Sequence, residues 1–271
     1  MLINKGNAEE WFMLIVGEKL NSSIPKTLEA MLDGDMEYLV QLTLAQVEKG
    51  ANFLDINTAL CGEKEEQIME QILEMVQAQC TCGIMLDSPN PSLIKKVIDK
   101  IKDREIIINS LTLAQRFNEL VPIIKEYNCG IVGLPIDENG IPETVEKRVV
   151  NASRLIEKLC ENGVNIEKIY IDVLCEAMAV QDGSAVITLK SIEEIKRLYP
   201  KVNTICGLSN ISFGLPKRQT INAAFLATAI YCGLDSAIMD ITNATLHSTL
   251  YAALAMAGKD EYCMDYIRAN R

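Results

Sequence analysis

Short apolar segments alternate with longer segments of helical period along almost the whole chain. Eight of the short segments have the length of buried β-strands: Met13–Gly17, Phe53–Ile56, Gly83–Leu86, Ile106–Ile108, Gly130–Leu134, Ile169–Ile171, Thr204–Leu208 and Ser236–Met239. The helical segments between and after them are Met36–Lys49, Glu65–Ala78, Ser92–Lys102, Leu113–Tyr127, Pro142–Asn162, Ser191–Tyr199, Lys217–Cys232 and Asn243–Ala257. Eight βα units in a chain of 271 residues predict a (β/α)8 TIM barrel.

A doubly wound open sheet is the alternative to the barrel. Its usual cofactor signature is a glycine-rich first turn, whereas the first predicted strand here runs into Gly17-Glu18-Lys19-Leu20-Asn21. No low-complexity segment or linker composition divides the chain. We therefore predict one barrel domain over residues 1–271, with residues 1–12 as a short N-terminal lead-in.

Polar residues follow seven of the eight predicted strands. They are Glu18, Asn21, Asp55, Asn57, Asp87, Ser88, Asn109, Ser110, Asp172, Ser209, Asn210 and Asp240. The carboxyl ends of barrel strands form the reactive face, so these side chains are expected to surround one site. Asp and Asn also cap helices and form turns, and Asn57 and Asp240 are expected to be caps only. Recurrence at seven strands favours a shared site for the set.

A ring of carboxylates and carboxamides is suited to two kinds of ligand. Its oxygens could bind Mg²⁺ or Ca²⁺. They could also bind a flat heterocycle rich in N–H donors, because one carboxylate accepts an adjacent N–H and NH₂ in parallel. A phosphate-bearing ligand is disfavoured, since neither a glycine-rich cradle nor a basic cluster accompanies the ring.

Composition narrows the possible functions further. The formal net charge of −11 disfavours nucleic-acid binding, and no apolar run is long enough for a membrane span. His247 is the single histidine, which excludes a His-rich metal site. Nine scattered cysteines are typical of reduced thiols in a cytoplasmic protein. The pair Cys80 and Cys82 is too closely spaced and too isolated to supply a zinc site, and no tightly bound metal is expected.

The strand-end motifs, taken together and in order, resemble one family. They are GEKLN (17–21), LDIN (54–57), LDS (86–88), INS (108–110), YIDVL (170–174) and GLSN (207–210). Their series resembles the pterin-binding methyltransferases, most closely the methyltetrahydrofolate:corrinoid/iron–sulfur protein methyltransferases. That resemblance implies a pterin-binding TIM barrel that is usually a homodimer. It also implies methyl transfer between N5 of tetrahydrofolate and the cobalt of a corrinoid (cobalamin).

The resemblance also implies individual roles. Asp172 is expected to bind the pyrimidine edge of the pterin, Asp87 and Asn109 its other nitrogens, and Gly207 to approach it through the backbone. Asn210 is expected beside N5 as the catalytic residue, donating to or accepting from that nitrogen without titrating. The remaining expected pterin and folate contacts are Glu18, Asn21, Asp55, Ser88 and Arg218.

The corrinoid is expected to arrive on a separate corrinoid-binding protein, because the chain contains no histidine-bearing corrinoid motif. The loop SFGLPKR, with Phe213 where relatives carry a polar side chain, is expected to bear on the choice of that partner. The segments 220–232 and 250–258 are apolar on almost every face, and we expect them to form the homodimer interface.

Three other functions remain to be weighed. Dihydropteroate synthases have a similar barrel but carry an STRPG-type loop and a basic ending, neither of which occurs here. A non-catalytic folate-binding subunit would not need a carboxamide at N5. A Mg²⁺-dependent lyase or aldolase using Asp55, Asp87 and Asp172 would normally require a Lys or His base at a strand end.

Overall fold

A computed structural model describes residues 13–271; the expected lead-in over residues 1–12 lies outside them. The strands are β1 Leu14–Asn21, β2 Phe53–Asn57, β3 Gly83–Asp87, β4 Ile106–Leu111, β5 Gly130–Gly133, β6 Ile169–Asp172, β7 Asn203–Gly207 and β8 Ser236–Met239. Each strand pairs in parallel with the next, and β8 pairs with β1. The predicted closed barrel is confirmed.

The α-helices surround the barrel. They are α1 Pro25–Asp33, α2 Met36–Glu48, α3 Glu65–Gln79, α4 Pro91–Val97, α5 Phe117–Tyr127, α6 Val145–Glu161, α7 Ser184–Leu198, α8 Arg218–Tyr231, α9 Ala244–Met256 and α10 Met264–Ala269. Among residues 13–271, none of the helices is long and apolar enough to cross a bilayer.

The sequence pattern gave no range for α1, although Pro25 marks its start; it missed α10 and misplaced the starts of three other helices. α5 begins at Phe117 rather than Leu113, and α6 at Val145 rather than Pro142. α7 begins at Ser184, seven residues before the predicted Ser191. The start of α7 was misplaced because the inner face of this helix buries hydroxyl residues, Ser184, Thr188 and Ser191, at helical spacing. A hydropathy pattern does not score such residues as core.

The inside of the barrel is filled by apolar side chains. A separate cluster there contains Val16, Phe53, Met85, Ile107, Val132 and Ile205. Phe53 of β2 is aligned with Gly83 of β3, and its ring occupies the space that a side chain on Gly83 would fill. This apolar layer closes the interior, so a ligand can enter only at the polar end of the strands.

An irregularity in β1 brings two polar residues to the same end. The pairing of β1 with β2 shifts register between Gly17 and Leu20. The backbone N–H of Lys19 leaves the ladder and donates to Oε1 of Gln46, a buried residue of α2, at 2.9 Å. Glu18 and Asn21 are three residues apart and would face opposite sides of a regular strand. The bulge allows both to reach the barrel mouth.

We predict that Gly83→Ala destabilises the protein by about 1–3 kcal/mol, which is the usual range for overpacking a core. A Cβ at this position would lie 2.3 Å from Cε1 of Phe53. Urea unfolding of the variant measures the loss. In a double-mutant cycle, the same change should cost less in a Phe53→Leu background. An unchanged free energy of unfolding for Gly83→Ala would contradict this account of the interior.

Candidate active site

Barrel closure gathers the polar strand ends around one opening. On β3 and β4, Asp87 is aligned with Asn109, and the backbone N–H of Ser88 donates to the carbonyl oxygen of Asn109 at 3.3 Å. On β1 and β2, Nδ2 of Asn21 donates to Oδ2 of Asp55 at 3.1 Å. Five of the predicted site residues therefore lie on, or directly after, four adjacent strands at the same end of the barrel.

Asn57 joins these two pairs of strands. Its Nδ2 donates to Oδ2 of Asp87 at 2.8 Å, and its Oδ1 accepts from the hydroxyl of Ser22 at 2.8 Å. Oδ1 also accepts from the backbone N–H of Ala59, which is the expected turn contact. The expectation that Asn57 is only a cap was wrong, because a capping side chain has an N–H₂ group left over that can orient a neighbouring carboxylate.

Three carboxyl groups on the β1 to β3 side of the mouth are protonated more readily than usual. Burial is the main cause of the raised pKa of Asp55, Asp87 and Glu18. The charge of Asp87 raises the pKa of Asp55 further. Oδ1 of Asp55 is buried without a hydrogen-bond partner, which is costly for a charged group and tolerable for a neutral one. The mouth therefore combines hydrogen-bond acceptors with carboxyl groups that can hold a proton.

Asp172 ends β6 on the opposite side of the barrel from Asn21 and Asp55. Its Oδ1 accepts from the backbone N–H of Leu174 at 2.8 Å. The backbone N–H of the intervening Val173 donates to the carbonyl oxygen of Ile205 on β7. Burial raises the pKa of Asp172 to about 6, against the opposing effects of the Leu174 N–H and the nearby Arg148. Asp172 is consequently ionised at neutral pH and can accept two parallel N–H donors.

The end of β7 carries a short turn, Leu208–Ser212, that presents Asn210 to solvent. Nδ2 of Asn210 lies 3.0 Å from the point where a side chain on Gly207 would begin. A residue larger than glycine at 207 would therefore push the carboxamide away. The adjacent Ser209 donates its hydroxyl to both carboxylate oxygens of Glu18, each at 3.1 Å. That contact connects the turn after β7 to β1.

Arg218, the first residue of α8, stabilises this turn through hydrogen bonds. Its Nη2 donates to the carbonyl oxygen of Ser209 at 2.7 Å, and its Nε donates to the hydroxyl of Ser212 at 3.1 Å. The guanidinium also lies 5.8 Å from the ring centre of Phe213. The direct contacts of Arg218 are thus with the loop that carries Asn210. Whether it also touches the folate stays a prediction.

Sequence reasoning missed two charged groups at the mouth and a third that lies behind it. Lys19 pairs with Asp240 at 2.6 Å, while Asp240 also accepts from the backbone N–H of Thr242 in the expected turn. Asp240 is therefore more than the cap it was expected to be. Arg116 lies close enough to Asp87 to oppose the rise in its pKa. The third group is Arg148, which is buried behind β6. Lys19 could have been found because it directly follows Glu18 in sequence. No sequence pattern connects Arg116 or Arg148 to the site.

Metal ligation was the other chemistry open to this ring. Across residues 13–271, no group of three or more His, Cys, Asp or Glu side chains is placed to hold a metal ion. The carboxylates are instead separated around the opening and contacted by amide, hydroxyl and backbone donors.

Comparison with known proteins agrees with this geometry. The family model described as "Pterin binding enzyme" matches residues 17–240, which include every strand-end residue described above. The chain belongs to the pterin-binding enzyme family. The predicted family is thereby confirmed.

Curated relatives place this pterin-binding enzyme among methyltransferases. A methylcorrinoid:tetrahydrofolate methyltransferase of Eubacterium limosum is 30% identical over 96% of both chains. The methionine synthase of Mycobacterium tuberculosis is 32% identical over 86% of this chain, which corresponds to only 21% of that longer protein. The first match spans whole chains, whereas the second concerns one segment of a much larger enzyme.

Solved structures confirm the fold of this pterin-binding enzyme. A dihydropteroate synthase of Xanthomonas albilineans, in complex with 7,8-dihydropteroate, superposes with a TM-score of 0.67 at 18% identity. The match covers 90% of this chain and 92% of that one. At this level of identity the likeness concerns the barrel and not the reaction.

We predict that Asp55→Asn makes the protein more stable at pH 8 and that the gain shrinks toward pH 4. The pKa of Asp55 is raised in the folded state, so the wild type is stabilised by protonation at low pH and loses that contribution as pH rises. Each unit of such a rise corresponds to about 1.4 kcal/mol. An amide oxygen can still accept from Asn21.

Unfolding in denaturant from pH 4 to pH 8 measures the effect. Asp33→Asn, at an exposed position in α1, serves as the control and should show no comparable dependence on pH. A gain for Asp55→Asn that is equal at both ends of the range would contradict the assignment of a buried, proton-holding carboxyl.

Proposed function

We propose that this protein transfers a methyl group from a methylated corrinoid to N5 of tetrahydrofolate. The observation that carries the proposal is the position of Asn210, held against Gly207 at the mouth of a pterin-family barrel. The direction is supported by the relative from Eubacterium limosum, which is named a methylcorrinoid:tetrahydrofolate methyltransferase and matches over 96% of both chains.

The pterin would be bound mainly through Asp172, Asp87 and Asn109. The pyrimidine edge presents an N–H and an NH₂ side by side, and an ionised carboxylate at Asp172 accepts both. The bond from the Leu174 N–H occupies one lone pair of Oδ1 and leaves the others available. Asn57 orients Asp87 in the same way. Both carboxylates are therefore held in place before the ligand arrives, which reduces the cost of ordering them on binding.

N5 carries a proton before the methyl transfer and a free lone pair after it. The chemical step therefore needs a hydrogen-bond partner that can first accept from N5 and then donate to it. N5 attacks the methyl carbon, the electron pair of the cobalt–carbon bond stays on the corrinoid, and N5 releases its proton. The carboxamide oxygen of Asn210 can accept the N5–H before transfer, and its amide N–H can donate to the N5 lone pair of the product. Glu18, linked to the same turn through Ser209, is a carboxylate within this network that can take up a proton.

The corrinoid would arrive on a separate protein that docks at the barrel mouth. Two large apolar side chains on the loops at this end of the barrel are exposed, Phe213 to 66% and Val180 to 84%. The backbone N–H of Met178 donates to the carbonyl oxygen of Ile211, so the loop after β6 packs against the loop after β7. Phe213 and Val180 thus belong to two joined loops beside Asn210, which supports the proposed role of this rim in partner recognition.

We also propose that the protein is a homodimer that uses α8 and α9. Both helices are rich in apolar residues, and each ends in a large exposed side chain: Tyr231 is 79% and Met256 86% exposed. Side chains of this size are usually covered in a soluble assembly when they belong to a wider apolar surface.

We predict that Asn210→Ala lowers kcat by about 100-fold to 1,000-fold, the range seen when one hydrogen-bond donor to a charge-changing atom is removed. Tetrahydrofolate affinity should change little, because the pterin edge is bound elsewhere. Anaerobic absorbance of the corrinoid measures transfer, and calorimetry measures binding. Asn162→Ala, at the far end of α6, is the control. Unchanged turnover would rule out a catalytic role, and lost affinity would reassign Asn210 to binding.

We predict that Asp172→Asn abolishes measurable pterin binding, because an amide presents one acceptor and one donor to a ligand edge with two donors. In the wild type, affinity should be constant above pH 7 and should fall below about pH 6, where the Asp172 carboxylate becomes protonated. Calorimetric titration between pH 5 and pH 8 measures both effects. Retained affinity in the variant would remove Asp172 from the pterin site.

A further inference from the structure

One charged side chain outside the mouth is buried almost completely. Arg148, on α6, is 1% exposed and is among the largest fully buried side chains of residues 13–271. Its guanidinium points toward the loop that follows β6, and burial lowers its pKa. A buried guanidinium is costly unless its N–H groups are satisfied, so its partners indicate what it stabilises.

Most partners of Arg148 belong to the segment directly after Asp172. Nη1 donates to the carbonyl oxygens of Val173 at 2.9 Å and Leu174 at 2.6 Å. Nη2 forms an ion pair with the carboxylate of Glu176. Two further contacts secure the guanidinium: Nε donates to the carbonyl oxygen of Pro142 at 2.9 Å, and Nη1 reaches the hydroxyl of Thr188 at 3.3 Å.

The backbone at Leu174 explains why such a clamp is needed. Leu174 has φ of +54°, in the left-handed region that a leucine rarely adopts. In this conformation its N–H donates to Oδ1 of Asp172 while its carbonyl oxygen accepts from Arg148. Through these two hydrogen bonds, Leu174 connects the guanidinium of Arg148 to the carboxylate of Asp172. A change of φ at Leu174 would turn its N–H and its carbonyl group relative to each other, so the contacts with Asp172 and Arg148 could not both be kept.

We propose that Arg148 is a positioning residue for Asp172: by binding the carbonyl groups of Val173 and Leu174, it holds the Asp172 carboxylate in the orientation that accepts the pterin edge. The inference rests on the proposed function, in which Asp172 binds the pterin. It assigns a role in ligand binding to a residue that does not touch the ligand.

The charges around Asp172 give this role a measurable consequence. The positive charge of Arg148 opposes the effect of burial on the pKa of Asp172. Glu176 partly neutralises that positive charge. Cys206 also lies near Asp172, and its pKa is raised mainly by a hydrogen bond with Cys175 and by burial. Removal of the Arg148 charge should make Asp172 harder to ionise. Removal of the Glu176 charge should make it easier to ionise, because the guanidinium then acts on Asp172 alone.

The test is calorimetric titration of 5-methyltetrahydrofolate, under anaerobic conditions, into the wild type and three variants from pH 5 to pH 8. The pH at which affinity falls to half is expected to rise by about one pH unit in Arg148→Met. It should fall below the wild-type value in Glu176→Gln. Arg148→Lys keeps the charge but loses the forked geometry, so its midpoint should stay near the wild-type value while affinity drops at every pH.

The outcomes separate the two proposals. A wild type that does not bind the folate would overturn the proposed function before Arg148 is considered. The second outcome is that the wild type binds the folate normally and that Arg148→Met and Glu176→Gln keep the wild-type pH midpoint. That result would show that Arg148 only stabilises the fold. If Arg148→Met does not fold, Glu176→Gln decides alone, since Glu176 is 24% exposed: a midpoint that fails to move downward overturns the proposal.

Discussion

Closure of eight parallel strands forces polar groups from distant parts of the chain into one small opening. The carboxylates at this opening cannot all remain charged and independent, because burial and mutual repulsion both favour their neutral forms. Each is consequently given a donor: Asn21 for Asp55, Asn57 for Asp87, Ser209 for Glu18 and the Leu174 N–H for Asp172. The rest of the site depends on these pairings, which orient the acceptors and set how readily each can be protonated.

The result is a mouth whose acceptors are held in place by groups that do not titrate. This suits a flat ligand with several N–H donors, since the directions of the acceptors are set in advance. It also suits a reaction in which one ligand nitrogen changes its hydrogen-bonding role. In the proposed reaction the carboxamide of Asn210 would serve that nitrogen before and after transfer, and the neighbouring Glu18 would accept the released proton.

The barrel was predictable because it follows from local pattern. Eight short apolar runs separated by helical segments have few alternatives in 271 residues, and all eight strands formed where they were expected. The errors have physical causes. α7 starts earlier than predicted because its inner face buries the hydroxyl residues Ser184 and Thr188, and Thr188 contacts Arg148. β1 continues past Gly17 because Gln46, on a different element, accepts the N–H that a bulge releases.

The sequence by itself determined which residue types stand at the strand ends, and these left two kinds of ligand open, a divalent cation or a flat heterocycle rich in N–H donors. Tertiary structure decided which of those residues touch. Asn57 could be recognised as a turn residue from the chain alone, but its bond to Asp87 depends on the alignment of β2 with β3. Arg148 has no signal in sequence, since a lone arginine on an amphipathic helix usually faces solvent. Only the folded chain places its guanidinium against the carbonyl groups that follow Asp172, because that contact depends on how α6 packs behind β6 and α7.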